Sequence, residues 1–397
     1  MDVCIYFQVH QPLRLSQFSL FGEHTEGNGF DGYFDERLNG EIMRKVAGKC
    51  YLPTNSLMLE LLEKHPEFKI SYSLTGVFME QCKQFAPDVL ESFSALAATG
   101  RVEFLSETYY HSLSYLFSDK DEFIEQVKLH SEAISKFATP SSVFRNTEAM
   151  FSNDIAYLAE RLGYTGILAE GLDHILGWRS PTYLYSVKGC QKIKALLRHY
   201  RLSDDVGYRF SAKWWSEHPL TSDKYARWLA ALGGDCVNIF MDYETFGEHH
   251  WVDTGIFEFL RHLPGEVSKH PHLAFATPSE LAAKIPCRDE IDVPQVTSWA
   301  DMERDTSAWL GNEMQRNAFS LVESIGEKVK QQKDGKLLRT WRMLQNSDHF
   351  YYMCTKSLSD QDVHNYFSPY DSPFDAYINY MNILQDFEAK VSEDERN

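Results

Sequence analysis

The chain has no cysteine pair at C-x-x-C spacing; its seven cysteines, Cys4, Cys50, Cys82, Cys190, Cys236, Cys287 and Cys354, lie far apart. That spacing argues against a zinc cluster and a disulfide framework, and the odd, scattered set reads as reduced thiols. No run of about 18 apolar residues occurs, and the first residues, MDVCIYFQVHQP, have neither a basic n-region nor a long apolar core. Neither a membrane span nor a secretory leader is expected, and the expected compartment is the cytoplasm. Basic charge is scarce: 39 lysines and arginines stand against 57 aspartates and glutamates, a formal net charge of −18. That balance argues against nucleic acid or an anionic membrane as partner and leaves a neutral substrate comfortable. A G-x-G-x-x-G after a strand, a Walker loop and a G-x-S-x-G elbow are all missing, so nucleotide binding and serine hydrolysis lose their usual support.

Aromatic residues, by contrast, are plentiful, with 26 Phe, 21 Tyr and 8 Trp. They fill cores, and their faces also grip the apolar faces of sugar rings. Short apolar runs alternate with helical patterns through the first three quarters of the chain. VCIYFQV (3–9), FKISYSL (68–74), RVEFLS (101–106), SVFRN (142–146), TGILA (165–169), CVNIFM (236–241) and HLAFA (272–276) read as strands, with helices over 55–65, 87–100 and about 152–162 between them. Strands separated by helices of this length pair in parallel through helical crossovers. Polar residues close several of the runs: His10, Glu80 a little further on, Glu107, Glu148, Glu170 and Asp242. Such placement is expected of a barrel whose loops at one face share one site. Beyond about residue 300 helical patterns dominate, over 312–332, 336–353 and 373–391. The expected architecture is an α/β barrel over residues 1–300 and an α-helical region over 301–397 packed against it.

Glu148 in FRNTEAMFSN and Asp242 in FMDYETFGEHHW each follow an apolar run directly. Two carboxyl groups on separate strand ends are what glycoside hydrolysis needs, and half-burial at a barrel mouth raises the pKa of the one that acts as acid. The competing reading is that both cap the helices that follow. His10 ends the first strand, and Pro12 stops its extension. His249 and His250 are neighbours whose side chains point apart, so no metal is expected there. Glu107 and His111 have i, i+4 spacing, which suits either a metal-binding helix or a polar rim loop. Trp299 and Trp309 flank Asp301, Glu303 and Asp305, a pattern that fits sugar stacking with hydroxyl recognition or a capped helix start. Asp348 in LQNSDHFYYM reads as a buried polar group with a partner.

Taken in order, VHQP (9–12), TGVFMEQ (75–81), FRNTE (144–148), MDYETFGEH (241–249) and TPSEL (277–281) resemble the five conserved blocks of glycoside hydrolase family 57. LQNSDHFYYM (344–353) resembles the helical segment that follows the barrel in that family. The resemblance implies an incomplete (β/α)7 barrel with a helical extension, no cofactor, and a retaining double displacement on α-glucans. It implies Glu148 as nucleophile and Asp242 as general acid/base. It also implies His10, Glu80, His249, Trp299, Asp301 and Asp305 as subsite residues, and Asp348 is expected to join them. Many members carry a second histidine where this chain has Gln8, and the α-amylase-like branch tolerates that change. The expected activity is therefore an α-1,4-glucan hydrolase of the α-amylase type. A 4-α-glucanotransferase, a metal-dependent deacetylase or zinc glycosidase, and a non-catalytic glucan-binding protein are the alternatives.

Overall fold

The computed structural model describes residues 1–19, 32–356 and 368–394. Its strands are β1 (Asp2–Val9), β2 (Ile70–Leu74), β3 (Val102–Ser106), β4 (Pro140–Phe144), β5 (Gly166–Glu170), β6 (Tyr185–Val187), β7 (Lys194–Arg198), β8 (Cys236–Asp242), β9 (Ala274–Phe275) and β10 (Asp289–Ile291). Seven of them, β1, β2, β3, β4, β5, β7 and β8, run parallel in that order and close on themselves as a barrel. β6 lies antiparallel outside β7 and carries β10 on its far edge.

The closing seam is thin. β7 and β8 share one residue pair, Arg198 opposite Asn238, and side chains complete the stitching. Asn238 Nδ2 donates to the Leu197 carbonyl at 3.0 Å, and Arg198 Nε donates to the Phe240 carbonyl at 2.7 Å.

Alternation along each strand sorts the side chains. Val3, Ile5, Phe7 and Val9 of β1, with Val237, Ile239 and Met241 of β8, pack outward against the surrounding helices. Cys4, Tyr6, Leu105, Val143, Leu168, Leu196 and Phe240 fill the barrel interior. Two residues further along, the same inward parity delivers Gln8, Glu107, Arg145, Glu170, Arg198 and Asp242. The barrel is thus apolar at its floor and charged at the carboxyl ends of its strands.

The strand expected over 272–276 is only two residues long and pairs with Asp2–Val3, where β1 has not yet met β2. Pro278 ends it by starting the helix Pro278–Lys284, whose capping box joins Thr277 and Glu280. The TPSEL block is therefore a helix start beneath the barrel. The less regular stretch after residue 170 holds β6, β7 and the helices Tyr200–Gly207 and Ser222–Ala231.

In the C-terminal region the pattern over 336–353 forms two helices, Gly335–Met343 and Ser347–Tyr351. Asn346 breaks it by leaving the helical conformation and capping the second helix through its side chain, which accepts from Asp348 N–H. Pro373–Asp394 is the last helix. Trp341, Phe319, Phe350 and Tyr380 join this region to Phe117, Phe123 and Phe144 of the barrel side in one apolar core. A bridge between Ser112 and Asn346 seats it over the loop after β3. Among the described residues no helix is long and apolar enough to cross a membrane.

Candidate active site

A cavity of about 650 Å³ opens at the carboxyl ends of the barrel strands. Glu148, Asp242, His10, His249, Trp299 and Asp348 all line it.

Glu148 follows β4 in a short 3-10 turn, Thr147–Ala149, at φ 56° and ψ 27°. The left-handed region is costly for a glutamate, and Ala149 beside it shares that region with φ 49°. Glu148 caps no helix: Ser152 caps the following one, Asn153–Arg161, by accepting from Ile155 N–H. Its carboxylate instead takes three donors. Oε1 accepts from His111 Nε2 and from Ser347 Oγ, each at 3.1 Å, and Oε2 accepts from Trp299 Nε1 at 3.1 Å. Burial pushes the carboxyl up, but the His111 hydrogen bond and the charges of His111 and Arg145 outweigh it. The pKa of Glu148 therefore lies below the ordinary glutamate value.

Asp242 ends β8 and likewise caps nothing. Burial and the nearby Glu148 charge raise its pKa to about 6, against the pull of Arg145, His111 and Arg198. One cavity thus holds a carboxylate kept ionised and a carboxylic acid kept protonated in mildly acidic solution. That split suits paired nucleophilic and acid chemistry.

His10 Nδ1 lies 2.8 Å from Thr75 Oγ1, and Nε2 lies 3.1 Å from Asp348 Oδ2. Burial pushes Asp348 up, yet the hydrogen bond from His10 and the charges of His10 and His111 bring it down to about 2. The His10 pKa is lowered by burial and by the adjacent His111. With its pKa lowered, His10 is neutral in neutral solution and carries the charge that holds Asp348 down only in acid, where Asp348 itself titrates; its Nε2 also lies 3.3 Å from Asn346 Nδ2. Burial also lowers His249, to about 4.

His10, His111 and Asp348 bring possible ligand atoms within 4.8 Å of one another. The two imidazoles stack with centroids 4.0 Å apart and planes inclined by 22°, so their lone pairs run side by side instead of converging. Both His111 nitrogens also face carboxylates, Nε2 at Glu148 and Nδ1 at Glu107, 3.5 Å away. The cluster does not fit a tetrahedral metal site.

Three expected subsite residues stand away from the cavity lining. Glu80 sits on the helix Gly76–Phe85 and accepts from Tyr109 Oη at 2.8 Å and Arg339 at 2.6 Å. The helix capped by Thr75, directly after β2, turns it away from the cavity. Asp301 pairs with Lys356 at 3.3 Å. Asp305 accepts from the Ser307 backbone N–H at 2.8 Å, the capped-helix alternative for that stretch. Trp299 alone reaches Glu148, with its ring under Arg145 at 4.7 Å and Arg198 at 5.7 Å. Glu170 is buried in an ion network, 3.0 Å from Arg198 and 3.5 Å from Arg304, that braces the barrel wall.

Arg145 and Glu244 are lining residues that the sequence did not single out. Both could have been found by parity, Arg145 two residues beyond inward-facing Val143 and Glu244 two beyond Asp242. Arg145 is 1% exposed, and its guanidinium has no hydrogen-bond partner among the described residues. Glu244 accepts a short hydrogen bond from Tyr51 Oη. Tyr51 closes a π-helical turn, Ala47–Tyr51, whose Lys49 carbonyl packs against Gly247 so closely that a Cβ would sit 2.0 Å away. With φ 107° as well, position 247 in MDYETFGEH accepts glycine alone. Burial and the Asp242 charge raise Glu244 to about 8.

The sequence model of Glycosyl hydrolase family 57 matches residues 4–294. A putative alpha-amylase from Methanocaldococcus jannaschii is 49% identical over 405 residues, covering 99% of this chain and 85% of that protein. An alpha-amylase from Pyrococcus abyssi is 22% identical over 131 residues, 33% of this chain and 19% of that protein. Among solved structures, the 4-alpha-glucanotransferase from Thermococcus litoralis matches with TM-score 0.71 at 14% identity, covering 96% of this chain and 59% of that one. The alpha-amylase AmyC from Thermotoga maritima matches with TM-score 0.58 at 12% identity, covering 98% of this chain and 96% of that one. At such identities these structural likenesses are of fold.

Proposed function

The chain belongs to glycosyl hydrolase family 57, and from that premise we propose that it is a retaining α-1,4-glucan hydrolase of the α-amylase type. Its substrates would be glycogen, starch-like glucans or maltooligosaccharides. The observation that carries this reading is the opposite tuning of Glu148 and Asp242 within one cavity. An ionised Glu148, braced by three donors, attacks the anomeric carbon while Asp242 passes its proton to the leaving glycosidic oxygen. Asp242, now a carboxylate, takes a proton from water, which opens the glycosyl-enzyme with net retention. Arg145 supplies buried donors for sugar hydroxyls, and His10, His249, Trp299 and Asp348 line the subsites.

The barrel and the helical region after about residue 300 would act as one catalytic unit, since Ser347 of the second reaches Glu148 of the first. Seven unpaired cysteines, five of them buried, support a reducing, cytoplasmic setting.

A defined series of maltooligosaccharides, followed by NMR of the first product anomer, tests the reading. Shortened products released as the α anomer are expected, together with loss of turnover but retention of binding in Glu148→Gln. A β-anomeric product, or a fully active Glu148→Gln, would sink it. A second reading, 4-α-glucanotransferase, draws on the half-exposed aromatics Tyr208 and Trp251 at the cavity mouth, which offer room for an acceptor sugar. Maltotriose converted mainly to longer oligomers would favour it.

A further inference from the structure

Glu107 closes β3 on the inward side, yet its fully buried carboxylate does not line the cavity. Gln8 Nε2 donates to its two oxygens at 3.2 and 3.3 Å, and His111 Nδ1 lies 3.5 Å from Oε2, an ion-pair distance. A buried carboxylate requires a compensating charge. His111 is held to that task by an unusual backbone, φ 51°, and by the Ser347 N–H that donates to its carbonyl at 2.9 Å. Its ring therefore stands between two carboxylates, with Nε2 3.1 Å from Glu148 Oε1. A neutral imidazole has one N–H and would set a bare lone pair against one of the two acids. A doubly protonated ring sets positive charge against both, through a hydrogen bond to Glu148 and at ion-pair distance from Glu107.

We propose that Glu107 and His111 are a positioning pair for Glu148: Glu107 holds His111 as an imidazolium, and the imidazolium keeps Glu148 ionised and aimed at the anomeric carbon. The inference rests on the nucleophile role proposed above. The other groups facing the pair are consistent with it. His10, stacked on His111 from the end of β1, is the neutral partner of Asp348. His130, on the helix Asp121–Ile134, accepts the Glu107 backbone N–H at Nδ1 and faces the Leu74 carbonyl with Nε2, which makes it neutral too. Arg145 after β4 adds positive charge toward Glu148, while Asp242 and Asp348 lie near enough to feel His111. Burial opposes a charged His111, but Glu107 and Glu148 outweigh it and raise its pKa to about 9.

The test is the acid limb of the kcat/KM profile on a maltooligosaccharide, measured for the wild type, His111→Asn and Glu107→Gln. Removing an opposite charge at hydrogen-bond range moves a carboxyl by about 1–3 units. The acid limb should therefore rise by that amount in His111→Asn and by less in Glu107→Gln, with KM nearly unchanged. Folded variants whose acid limb stays in place overturn the pairing. Glu148→Ala, measured alongside, separates the two ideas: activity in that variant would bring down the nucleophile role itself. Should the variants fail to fold, 15N NMR of the wild-type histidines at pH 8 decides. One ring with both nitrogens protonated supports the pair, and none so protonated rejects it.

Discussion

The indole of Trp299 donates a hydrogen bond of 3.1 Å to Oε2 of Glu148, joining residues 151 positions apart in sequence. The two are joined again by their backbones, where Trp299 N–H meets the Glu148 carbonyl at 3.4 Å. A loop beyond the last barrel strand thereby fixes the orientation of a carboxylate that the barrel itself presents. Trp299→Phe keeps the packing under Arg145 and removes the donor. A hydrogen bond to a charged group contributes about 1.5–3 kcal/mol, so kcat/KM should fall about tenfold to a hundredfold. An unchanged kcat/KM in steady-state assays would show that this bond does not orient the carboxylate.

The opposite shifts of the two acids set a pH window. The proposed mechanism needs Glu148 ionised and Asp242 protonated, so kcat/KM should be bell-shaped, with its acid limb below the ordinary glutamate value of 4.5 and its base limb near 6. These limbs belong to the pair as a coupled unit. A profile flat from pH 5 to 8 would contradict the acid role of Asp242.

Glu244 carries a stability signature. Its folded pKa, about 8, stands above its ordinary 4.5, so the folded protein holds this proton more tightly than the unfolded chain. The stabilisation is complete below about pH 4.5 and is lost as pH rises through about 8. Glu244→Gln imitates the protonated acid and still accepts from Tyr51. It should raise Tm relative to wild type by at least about 2 °C at pH 8 and by less at pH 5. Calorimetry at the two pH values checks this, and an equal shift at both would show that Glu244 does not titrate in that range.

Tyr208 and Trp251 line the cavity with 55% and 53% of their surfaces exposed, and Lys49 Nζ lies 5.0 Å from the centre of the Trp251 ring, which leaves the opposite ring face for a sugar. Covering about 50 Å² of ring at about 25 cal/mol per Å² is worth ~1 kcal/mol, about fivefold in affinity. Trp251→Ala should raise KM for long maltooligosaccharides by about that factor and leave maltotriose nearly unaffected. Equal effects on both lengths would place the ring next to the reacting sugar.

Much of this arrangement was legible before any fold. The strand runs around Phe7, Leu74, Leu105, Leu168 and Phe240, with helices between them, pointed to parallel pairing, and the polar residues at their downstream ends pointed to a barrel. Glu148 and Asp242 stood out as acids placed where such runs end. Less legible was the stretch after residue 170, where the three-residue β6 pairs antiparallel with β7 and interrupts the regular beat of strand and helix. Glu80 stands off the cavity lining because TGVFMEQ begins a helix at Thr75, a turn the strand pattern alone does not reveal.

Local pattern alone determined that this chain would build parallel strands with helical crossovers and leave acids at their carboxyl ends, because side-chain period and turn chemistry act over a few residues. Which acid stays ionised and which keeps its proton was decided only when Glu107, His111, Arg145, Trp299 and Ser347 converged from separate elements. A pKa depends on burial and on charges a few ångströms away, and neither exists until the chain has closed around the cavity.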